Sequence, residues 1–343
     1  MRWLAVLGLA AGLGLTGYLV LRHDPRALLE SLLSLGWGAA LLPVAYLPHI
    51  LFDSACLRLV FPPSAAPGLG RSVWGTLIAR SINTLLPVGG IGGDVVKVRI
   101  LAQGGVAVAA AGAGMVVDKT VQTVSLVLWA AIGIGALIWL RADPAVVRAA
   151  VSGAGLFALG VAGFVVVQRS GLLAMLARWL GRRIGDRAGG MAGFLAATDT
   201  ALRDSYRRVG RLCAAVLLMT LSRATLTLEV WIAAHFMGLP LGIAEALMLK
   251  SLTGALRGAA FVVPNGLGIQ EAGFVLLGGL LGYPPEAMLA ISLATRAREI
   301  AVSLPVLAGW QIAEGRRLLG RAAPPVAPGA ARSAASPATD PER

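Results

Sequence analysis

The stretch Arg80-Ser-Ile-Asn-Thr-Leu-Leu-Pro-Val-Gly-Gly-Ile-Gly-Gly-Asp94 places an arginine, a proline, four glycines and an aspartate inside an otherwise apolar region. A second stretch repeats this skeleton 177 residues later. In both copies the arginine precedes the proline by seven residues, a glycine follows it by two, and an acid follows it by seven. The matching pairs are Arg80 with Arg257, Pro87 with Pro264, Gly89 with Gly266, and Asp94 with Glu271. Four different residue types at one constant offset indicate an internal repeat.

The composition indicates a membrane protein. Of the 343 residues, 57% are hydrophobic and only 14% are charged, and the mean hydropathy is +0.77. A soluble protein carries roughly a quarter charged residues. The net charge of +13 could indicate nucleic-acid binding, but the arginines cluster in segments that flank apolar runs. The positive-inside rule accounts for that distribution, so we expect no nucleic-acid partner.

The apolar runs predict an all-α polytopic membrane protein with about six full spans, since a crossing helix needs roughly 20 apolar residues. The run at 106–140 is too long for one crossing, and Asp118-Lys119 lies near its middle. We therefore expect a short helix at 106–117 followed by a span. The six predicted spans are 3–21, 36–61, 120–140, 146–167, 212–237 and 286–310.

The two Pro-Gly breaks predict re-entrant helix pairs. The run at 72–86 is too short to cross comfortably, and a second short run after the break ends at Lys97 and Arg99. The runs at 243–263 and 269–281 flank the second break in the same way. Irregular backbone survives at membrane depth only where it is buried in protein or lines a cavity.

The span count predicts how the two copies are oriented. If the N-terminus, the 169–211 loop and the C-terminal tail are all cytoplasmic, three full spans separate the breaks, and an odd number gives an inverted-topology repeat. We expect one integral membrane domain over 1–321, with the first repeat around 72–140 and the second around 243–310. The tail at 322–343, rich in Ala, Pro and Ser, is predicted to be disordered and cytoplasmic.

The segment 169–211 differs from the rest of the chain. It contains nine arginines and three aspartates, and 172–180 has an amphipathic helical pattern. A basic amphipathic helix next to a bilayer is typical of a segment that lies on anionic lipid headgroups. Short arginine-rich loops also stay cytoplasmic, which supports the predicted topology.

The repeated arginines and acids suggest a polar site inside the membrane. The planar guanidinium fork suits phosphate or carboxylate, and an unpaired charge at the membrane centre costs at least ~2.5–3.5 kcal/mol. One interpretation is that Arg80 and Arg257 bind an anionic lipid headgroup, while Asp94 and Glu271 pair with them or bind a counter-cation. The alternative is that each arginine pairs with the acid of its own hairpin as a permanent brace. The candidate substrate-binding residues are Arg80, Asn83, Pro87, Gly92, Gly93, Asp94, Arg257, Pro264, Gly266, Gly268, Gln270 and Glu271.

Other charges inside the apolar runs could support this site. Asp53 is either a functional intramembrane acid or a local partner of Arg58 near a helix end. Asp118-Lys119 and Arg298-Glu299 are either part of the same network or structural pairs. The supporting candidates are Asp53, Asp118, Lys119, Arg296, Arg298 and Glu299.

No enzyme motif is present in the sequence. It contains no GxSxG, no Walker A and no dinucleotide fingerprint at a strand–helix junction, and its three histidines are too far apart to suggest a metal site by spacing. We therefore expect no catalytic residue, no cofactor and no metal.

Two motifs carry a family resemblance. The stretch from Arg80 to Arg99, together with Phe261-Val-Val-Pro-Asn-Gly-Leu-Gly-Ile-Gln-Glu-Ala-Gly-Phe274 and Ala290-Ile-Ser-Leu-Ala-Thr-Arg-Ala-Arg-Glu299, resembles the transmembrane flippase region of lysylphosphatidylglycerol synthase. More narrowly, it resembles the hopanoid-biosynthesis-associated (HpnL-like) branch of that family. The likeness covers roughly 36–320, and Asn265 departs from the small residue expected after the proline. No aminoacyl-transferase domain is present, so lysyl transfer is not implied.

The resemblance implies lipid handling in a bacterial inner membrane, with a hopanoid or a phospholipid as the transported substrate. Two other functions stay open. The protein could be a non-transporting scaffold that gathers lipid-biosynthetic enzymes on its basic cytoplasmic face, or a membrane transferase with Asp94 or Glu271 as its base. The sequence contains no nucleophile and base at a catalytic spacing, which disfavours the transferase.

Overall fold

The computed structural model describes residues 2–86, 92–140, 143–169, 189–260 and 263–322. Over these ranges the chain forms thirteen α-helices and no β-strand. The predicted tail at 322–343 and the amphipathic pattern at 172–180 lie outside the described residues, apart from the last residue of the final helix. The helices are α1 (Arg2–Arg22), α2 (Pro25–Ser34), α3 (Gly38–Leu59), α4 (Leu69–Leu85), α5 (Gly92–Ala102), α6 (Val108–Trp139), α7 (Pro144–Arg169), α8 (Gly189–Arg207), α9 (Val209–Thr225), α10 (Thr227–Phe236), α11 (Ile243–Ala259), α12 (Ile269–Leu280) and α13 (Pro285–Ala322).

The chain is a multi-pass membrane protein. Four segments of the described ranges are long and apolar enough to cross a membrane, and they coincide with four of the predicted spans. The other two predicted spans, 3–21 and 286–310, are helical in α1 and α13 but are not among these four. The four segments are Gly38–Leu59, Val108–Trp139, Pro144–Gly163 and Val209–Phe236.

One predicted boundary is wrong. The predicted division of 106–140 at Asp118-Lys119 does not occur, because α6 runs unbroken from Val108 to Trp139. Both charges find partners on α5 and therefore do not need to leave the helix. The predicted span at 212–237 corresponds to one segment long and apolar enough to cross a membrane, Val209–Phe236, within which two helices meet at Leu226.

The helices reproduce the 177-residue offset of the motif. Helices α5 and α12 begin 177 residues apart, at Gly92 and Ile269, and α6 and α13 do so as well, at Val108 and Pro285. We call α3 to α6 the first half and α9 to α13 the second half. Within them, α4–α5 is the first hairpin and α11–α12 is the second hairpin.

The two halves pack reciprocally. Helix α4 of the first half packs along α13 of the second, and α11 of the second packs along α6 of the first. The leading helices α3 and α9 also pack against each other. Such an exchange of equivalent contacts is what a two-fold relation between similar units produces. Both hairpins are thereby brought to the interface between the halves.

Charged side chains are buried inside the described helix bundle, while large apolar side chains are exposed on its outside. Asp53, Asp118, Glu229 and Glu271 are almost completely buried. By contrast, Leu156 and other large residues of α7 are exposed. Buried charges require partners, and exposed apolar side chains suit a lipid environment, so this distribution agrees with a membrane protein that has a polar interior.

Candidate functional site

A cavity of about 170 Å³ lies between the two halves, and the arginine of each copy of the motif lines it. We call it the central cavity. The first half contributes residues of α3 to α6, and the second half contributes α11, α13 and the turn before α12. Its polar and charged lining consists of Tyr46, Asp53, Thr76, Arg80, Ser81, Asn83, Thr84, Asp94, Lys97, Lys119, Gln122, Arg257, Asn265, Arg298, Glu299 and Ser303.

Arg80 is held by a single acid. Its Nε and Nη2 both donate to Oδ2 of Asp53, at 2.8 Å and 2.5 Å. Its Nη1 donates to no atom of the described residues, and 35% of the side chain stays accessible. The predicted alternative of a local Asp53–Arg58 pair is wrong, because the Nε of Arg58 donates to the carbonyl of Pro67 at 2.9 Å. Arg80 therefore keeps donor capacity for a ligand in the cavity.

Asp94 on α5 and Asp118 on α6 each form an ion pair with a lysine on the other of these two helices. Lys119 Nζ lies 2.8 Å from Asp94 Oδ2, and Lys97 Nζ lies 3.5 Å from Asp118 Oδ2. The second pair is almost fully buried, whereas Lys119 is 39% accessible. Charge pairs that are removed from water stabilise the packing only when both members stay in place.

The first hairpin closes through Asn83 and Gly93. The Oδ1 of Asn83 accepts a hydrogen bond from the backbone N–H of Gly93 at 2.9 Å, close to the N-terminus of α5. A Cβ on Gly93 would lie 2.1 Å from the carbonyl oxygen of Ala79, so only glycine permits this approach of α5 to α4. Gly92 begins the helix, while Pro87 lies outside the described residues.

Arg257 of the second hairpin has several side-chain partners. Its Nη1 donates to Gln270 Oε1 at 3.0 Å and to Glu299 Oε1 at 2.9 Å. Its Nη2 donates to Asn265 Oδ1. Asn265 in turn donates to Glu299 Oε2 at 3.1 Å. These four side chains form one closed network around the second break.

Arg296 holds the turn of the second hairpin. Its Nε donates to Glu271 Oε1 at 2.9 Å, and its two terminal nitrogens donate to the carbonyls of Asn265 and Gly266 at 2.8 and 2.9 Å. The turn starts at Pro264, and Asn265 and Gly266 have positive φ values of 54° and 57°. Asparagine and glycine are the residues that adopt this conformation most readily. Carbonyls freed at this bend are thus paired with a guanidinium.

Gly268 places the same turn against α1. Its φ is +75°, and a Cβ there would lie 2.9 Å from the carbonyl oxygen of Gly12. The second hairpin is therefore packed against α1.

The predicted brace between each arginine and the acid of its own hairpin is not observed. Arg80 pairs with Asp53 on α3, and Arg257 pairs with Glu299 on α13. The sequence neighbours Asp118-Lys119 and Arg298-Glu299 do not pair internally either. Adjacent helical residues point about 100° apart, which directs each to a different neighbouring helix. Arg298, for example, donates to Glu229 on α10 at 2.8 Å.

The pairing extends the repeat beyond the four residues of the motif. Adding 177 to Lys119 gives Arg296, and both cations pair with the repeated acid of their half, Asp94 or Glu271. The acid precedes the cation by 25 residues in each half. This signal is readable in the sequence, but it becomes meaningful only when the two contacts are seen.

The structure separates the predicted residues into those that line the central cavity and those that support it. Gln270 instead lines the neighbouring cavity described below. The predicted residues that line the central cavity are Asp53, Arg80, Asn83, Asp94, Lys119, Arg257, Arg298 and Glu299. Those that do not are Gly92, Gly93, Asp118, Pro264, Gly266, Gly268, Glu271 and Arg296.

No sequence motif points to Tyr46, Thr76 or Gln122, which also line the cavity. The guanidinium carbon of Arg298 lies 3.9 Å from the centre of the Tyr46 ring. A cation over an aromatic face is stabilised by the ring quadrupole, so Tyr46 fixes the position of Arg298.

A second cavity of about 280 Å³ adjoins the central one. We call it the second cavity. It is separated from the central cavity by side chains that line both, and it adds His49, Arg223, Lys250 and Gln270 to them. The residues that line both cavities are Tyr46, Arg80, Gln122, Arg257, Arg298 and Glu299.

Comparison with known families adds a match that spans both halves. The profile described as "Lysylphosphatidylglycerol synthase TM region" matches residues 5–308. The chain belongs to this family. No curated protein and no solved structure matches it. Membership supports a membrane protein of lipid metabolism or transport, and the match includes every residue described above as lining either cavity.

Proposed function

We propose that this protein is a flippase-like lipid transporter of the bacterial inner membrane, and that it handles a phospholipid or a hopanoid through the central cavity. The observation that carries the proposal is that the arginines of both copies of the repeated motif line one charged cavity inside a multi-pass membrane protein. Membership in a family named after a lipid synthase supports a lipid as the substrate.

Arg80 is the first contact for an anionic headgroup in this proposal. Among the described residues only Asp53 holds it and none accepts from its Nη1, and a third of its side chain is accessible. A guanidinium that keeps free donors in a low-dielectric cavity binds phosphate or carboxylate strongly. Lys119 on the facing helix offers a second accessible cation.

The proposed architecture has six full spans and two re-entrant hairpins related as an inverted repeat, with both termini cytoplasmic. Reciprocal packing of α4 on α13 and of α11 on α6 supports a two-fold relation between the halves. Inverted repeats allow a site between the halves to open to either side of the membrane by rocking. The two cavities, which share one layer of side chains, are compatible with such alternating access.

We propose that transport is downhill or driven by an ion gradient, since the sequence contains no ATP-binding motif. Of the two acids considered as carriers of a coupled proton, Asp94 is the better candidate. It lines the central cavity and pairs with a partly accessible lysine. Glu271, by contrast, is fully buried and is held by Arg296. Neither catalysis nor a cofactor is part of the proposal.

A scaffold for lipid-biosynthetic enzymes is the second candidate function. The basic segment 169–211 favours it, since its described part includes α8, which carries Arg203 and Arg207 and packs against α6. In a scaffold the charges of this segment matter more than Arg80 or Arg257. In a transporter the order is reversed.

Lipid movement in proteoliposomes tests the proposal. Full-length protein is reconstituted with fluorescent phospholipid or hopanoid reporters, and accessibility of the reporter to a membrane-impermeant quencher is followed with time. The wild type should move lipid, and Arg80→Ala and Arg257→Ala should lose that activity at matched folded yield. Arg99→Ala is the control, because Arg99 is exposed and lines neither cavity. Absence of wild-type activity with every lipid tested would favour the scaffold.

A further inference from the structure

The second cavity has an unusual charge balance. Among the described residues that line it, five are cations and only one is an acid. The cations are Arg80, Arg223, Lys250, Arg257 and Arg298, and the acid is Glu299. Charges buried in a membrane protein are normally paired, so the excess of positive charge in this cavity favours the binding of an anion.

Three of these cations already have an acid. Arg80 pairs with Asp53, and Arg257 pairs with Glu299. Arg298 donates to Glu229 Oε2 at 2.8 Å. Lys250 shares Glu229 with Arg298, and Arg223 has no acid partner among the described residues. The two cations come from different helices, α11 and α9.

Arg223 has only neutral partners in the described part of the chain. Its Nε donates to Ser125 Oγ at 2.8 Å, and its Nη2 donates to the carbonyl of Gln122 at 2.9 Å. These bonds fix the orientation of the guanidinium against α6. Its Nη1 makes no hydrogen bond to any described residue, and no described carboxylate lies within ion-pair distance. The side chain is therefore oriented, but its charge is not balanced by a partner of its own.

Lys250 is close to an acid whose oxygen is already in use. Its Nζ lies 3.6 Å from Glu229 Oε2, the same atom that accepts the hydrogen bond from Arg298. Within the described ranges the ammonium makes no hydrogen bond, although the side chain is largely buried. An ammonium carries three donors, and these are available to a ligand in the second cavity.

Part of the remaining wall is apolar, and the rest carries the neutral polar side chains of Tyr46, His49, Gln122, Thr253 and Gln270. Leu126, Trp129 and Leu226 line the cavity together with Gly254 and Gly258 of α11. A site that combines free cationic donors with an apolar wall suits an amphipathic anion. A free inorganic anion would gain nothing from the apolar part.

We propose that the second cavity is an anion subsite that binds a phosphate group, with Arg223 and Lys250 as its ligands and a lipid headgroup as the source of the phosphate. The inference rests on the proposed function for the source of the anion. It favours a phosphate-bearing lipid over a hopanoid without an anionic group. Arg80, Arg257 and Arg298 line both cavities, so a bound phosphate can stay in contact with guanidinium groups between the two.

Binding to the purified full-length protein in neutral detergent tests the subsite. The probes are dihexanoyl phosphatidylglycerol below its micellar concentration, inorganic phosphate, and dihexanoylglycerol, which lacks the phosphate. Titration calorimetry gives the affinity of the wild type, of Arg223→Gln/Lys250→Gln, and of the control Arg99→Gln. Hydrogen bonds to charged groups are worth enough that the double variant should bind the phospholipid roughly tenfold to hundredfold more weakly. The control should bind like the wild type, and dihexanoylglycerol should bind to neither.

Folding of the variants is protected by the contacts that remain. Glu229 keeps Arg298 when Lys250 is replaced, and a glutamine at 223 can still donate toward Ser125. If the double variant nevertheless fails to fold, Lys250→Arg should retain binding and Lys250→Gln should lose it.

The outcomes separate the sources of the anion. Binding of the phospholipid, alone or together with inorganic phosphate, supports the proposal when the double variant loses it. Binding of inorganic phosphate alone contradicts the lipid source. Binding of neither anion by the wild type, or unchanged binding by the double variant, overturns the subsite. If the double variant loses anion binding while the wild type moves no lipid in proteoliposomes, the subsite stands and the proposed function fails.

Discussion

The two hairpins carry the same motif but hold their arginines differently. Within the part of the chain that the structure describes, Arg257 donates to Asn265, Gln270 and Glu299, whereas Arg80 donates to Asp53 alone. Their side chains are 28% and 35% accessible. The cations that pair with the repeated acids differ more, since Arg296 is 9% accessible and Lys119 is 39% accessible.

This difference indicates that the two hairpins, which carry the same sequence motif, have different roles. The second hairpin is braced by a closed hydrogen-bond network, and its turn is tied to α13 by Arg296. The first hairpin keeps donors and accessible charge in the central cavity. We infer that the second hairpin mainly maintains the structure and that the first hairpin mainly contacts the ligand.

The largest expected effect is on stability, and it separates Arg296 from Lys119. Arg296→Met leaves Glu271 buried without its cation and frees the carbonyls of Asn265 and Gly266. Breaking a buried pair in this way should cost about 3–5 kcal/mol. Lys119→Met removes a partly accessible partner of Asp94 and should cost about 1 kcal/mol or less. Thermal unfolding of the two purified variants measures the difference, and equal losses would contradict the difference in roles.

Glycine substitutions compare the closeness of helix packing in the two hairpins. Gly93→Ala forces a methyl group into the backbone carbonyl of Ala79 and should cost roughly 1–3 kcal/mol. Gly273→Ala meets the Thr253 side chain at 2.9 Å, which can shift, so its cost should be smaller. Gly112→Ala is the control, because a Cβ there has nothing within 4 Å and should stabilise α6 by roughly 0.5–1 kcal/mol. The midpoint temperature of thermal unfolding should be lowest for Gly93→Ala, higher for Gly273→Ala and highest for Gly112→Ala.

The two asparagines should show a smaller difference. Asn265→Ala loses bonds to Arg257 and Glu299 and places alanine at a φ of 54°, so it should cost about 1–3 kcal/mol. Asn83→Ala loses one bond to the N–H of Gly93 and should cost about 1 kcal/mol. Asn265→Gly keeps the backbone conformation accessible and isolates the side-chain bonds. If Asn265→Gly were as stable as the wild type, the network around Arg257 would not be a brace.

The sequence contains enough local information to predict much of the fold. Composition predicts a multi-pass membrane protein, and the Pro-Gly breaks separate short helices at the predicted places, α4 from α5 and α11 from α12. The split at Asp118-Lys119 fails because charges inside a helix are tolerated when another helix supplies the partners. Here the partners are Lys97 and Asp94, both on α5, and only the tertiary structure shows that α5 packs against α6.

The sequence predicts site residues that belong to the repeated motif. It does not predict their ion-pair partners, which are distant along the chain. The motif points to Arg80 and Arg257, and both line the central cavity. The partners Asp53 and Glu299 lie 27 and 42 residues away along the chain, on other helices. Tyr46 has no charge or spacing that marks it, because its role follows from where α13 places Arg298.

The most direct test asks whether Arg80 binds lipid or only balances Asp53. Arg80→Gln alone leaves Asp53 as an unpaired buried charge, whereas Asp53→Asn/Arg80→Gln removes both charges and allows an amide pair at the same place. We predict that the double variant folds with a thermal midpoint near that of the wild type and moves no lipid in proteoliposomes. Lipid movement at the wild-type rate by the folded double variant would show that Arg80 is a brace and would contradict the account.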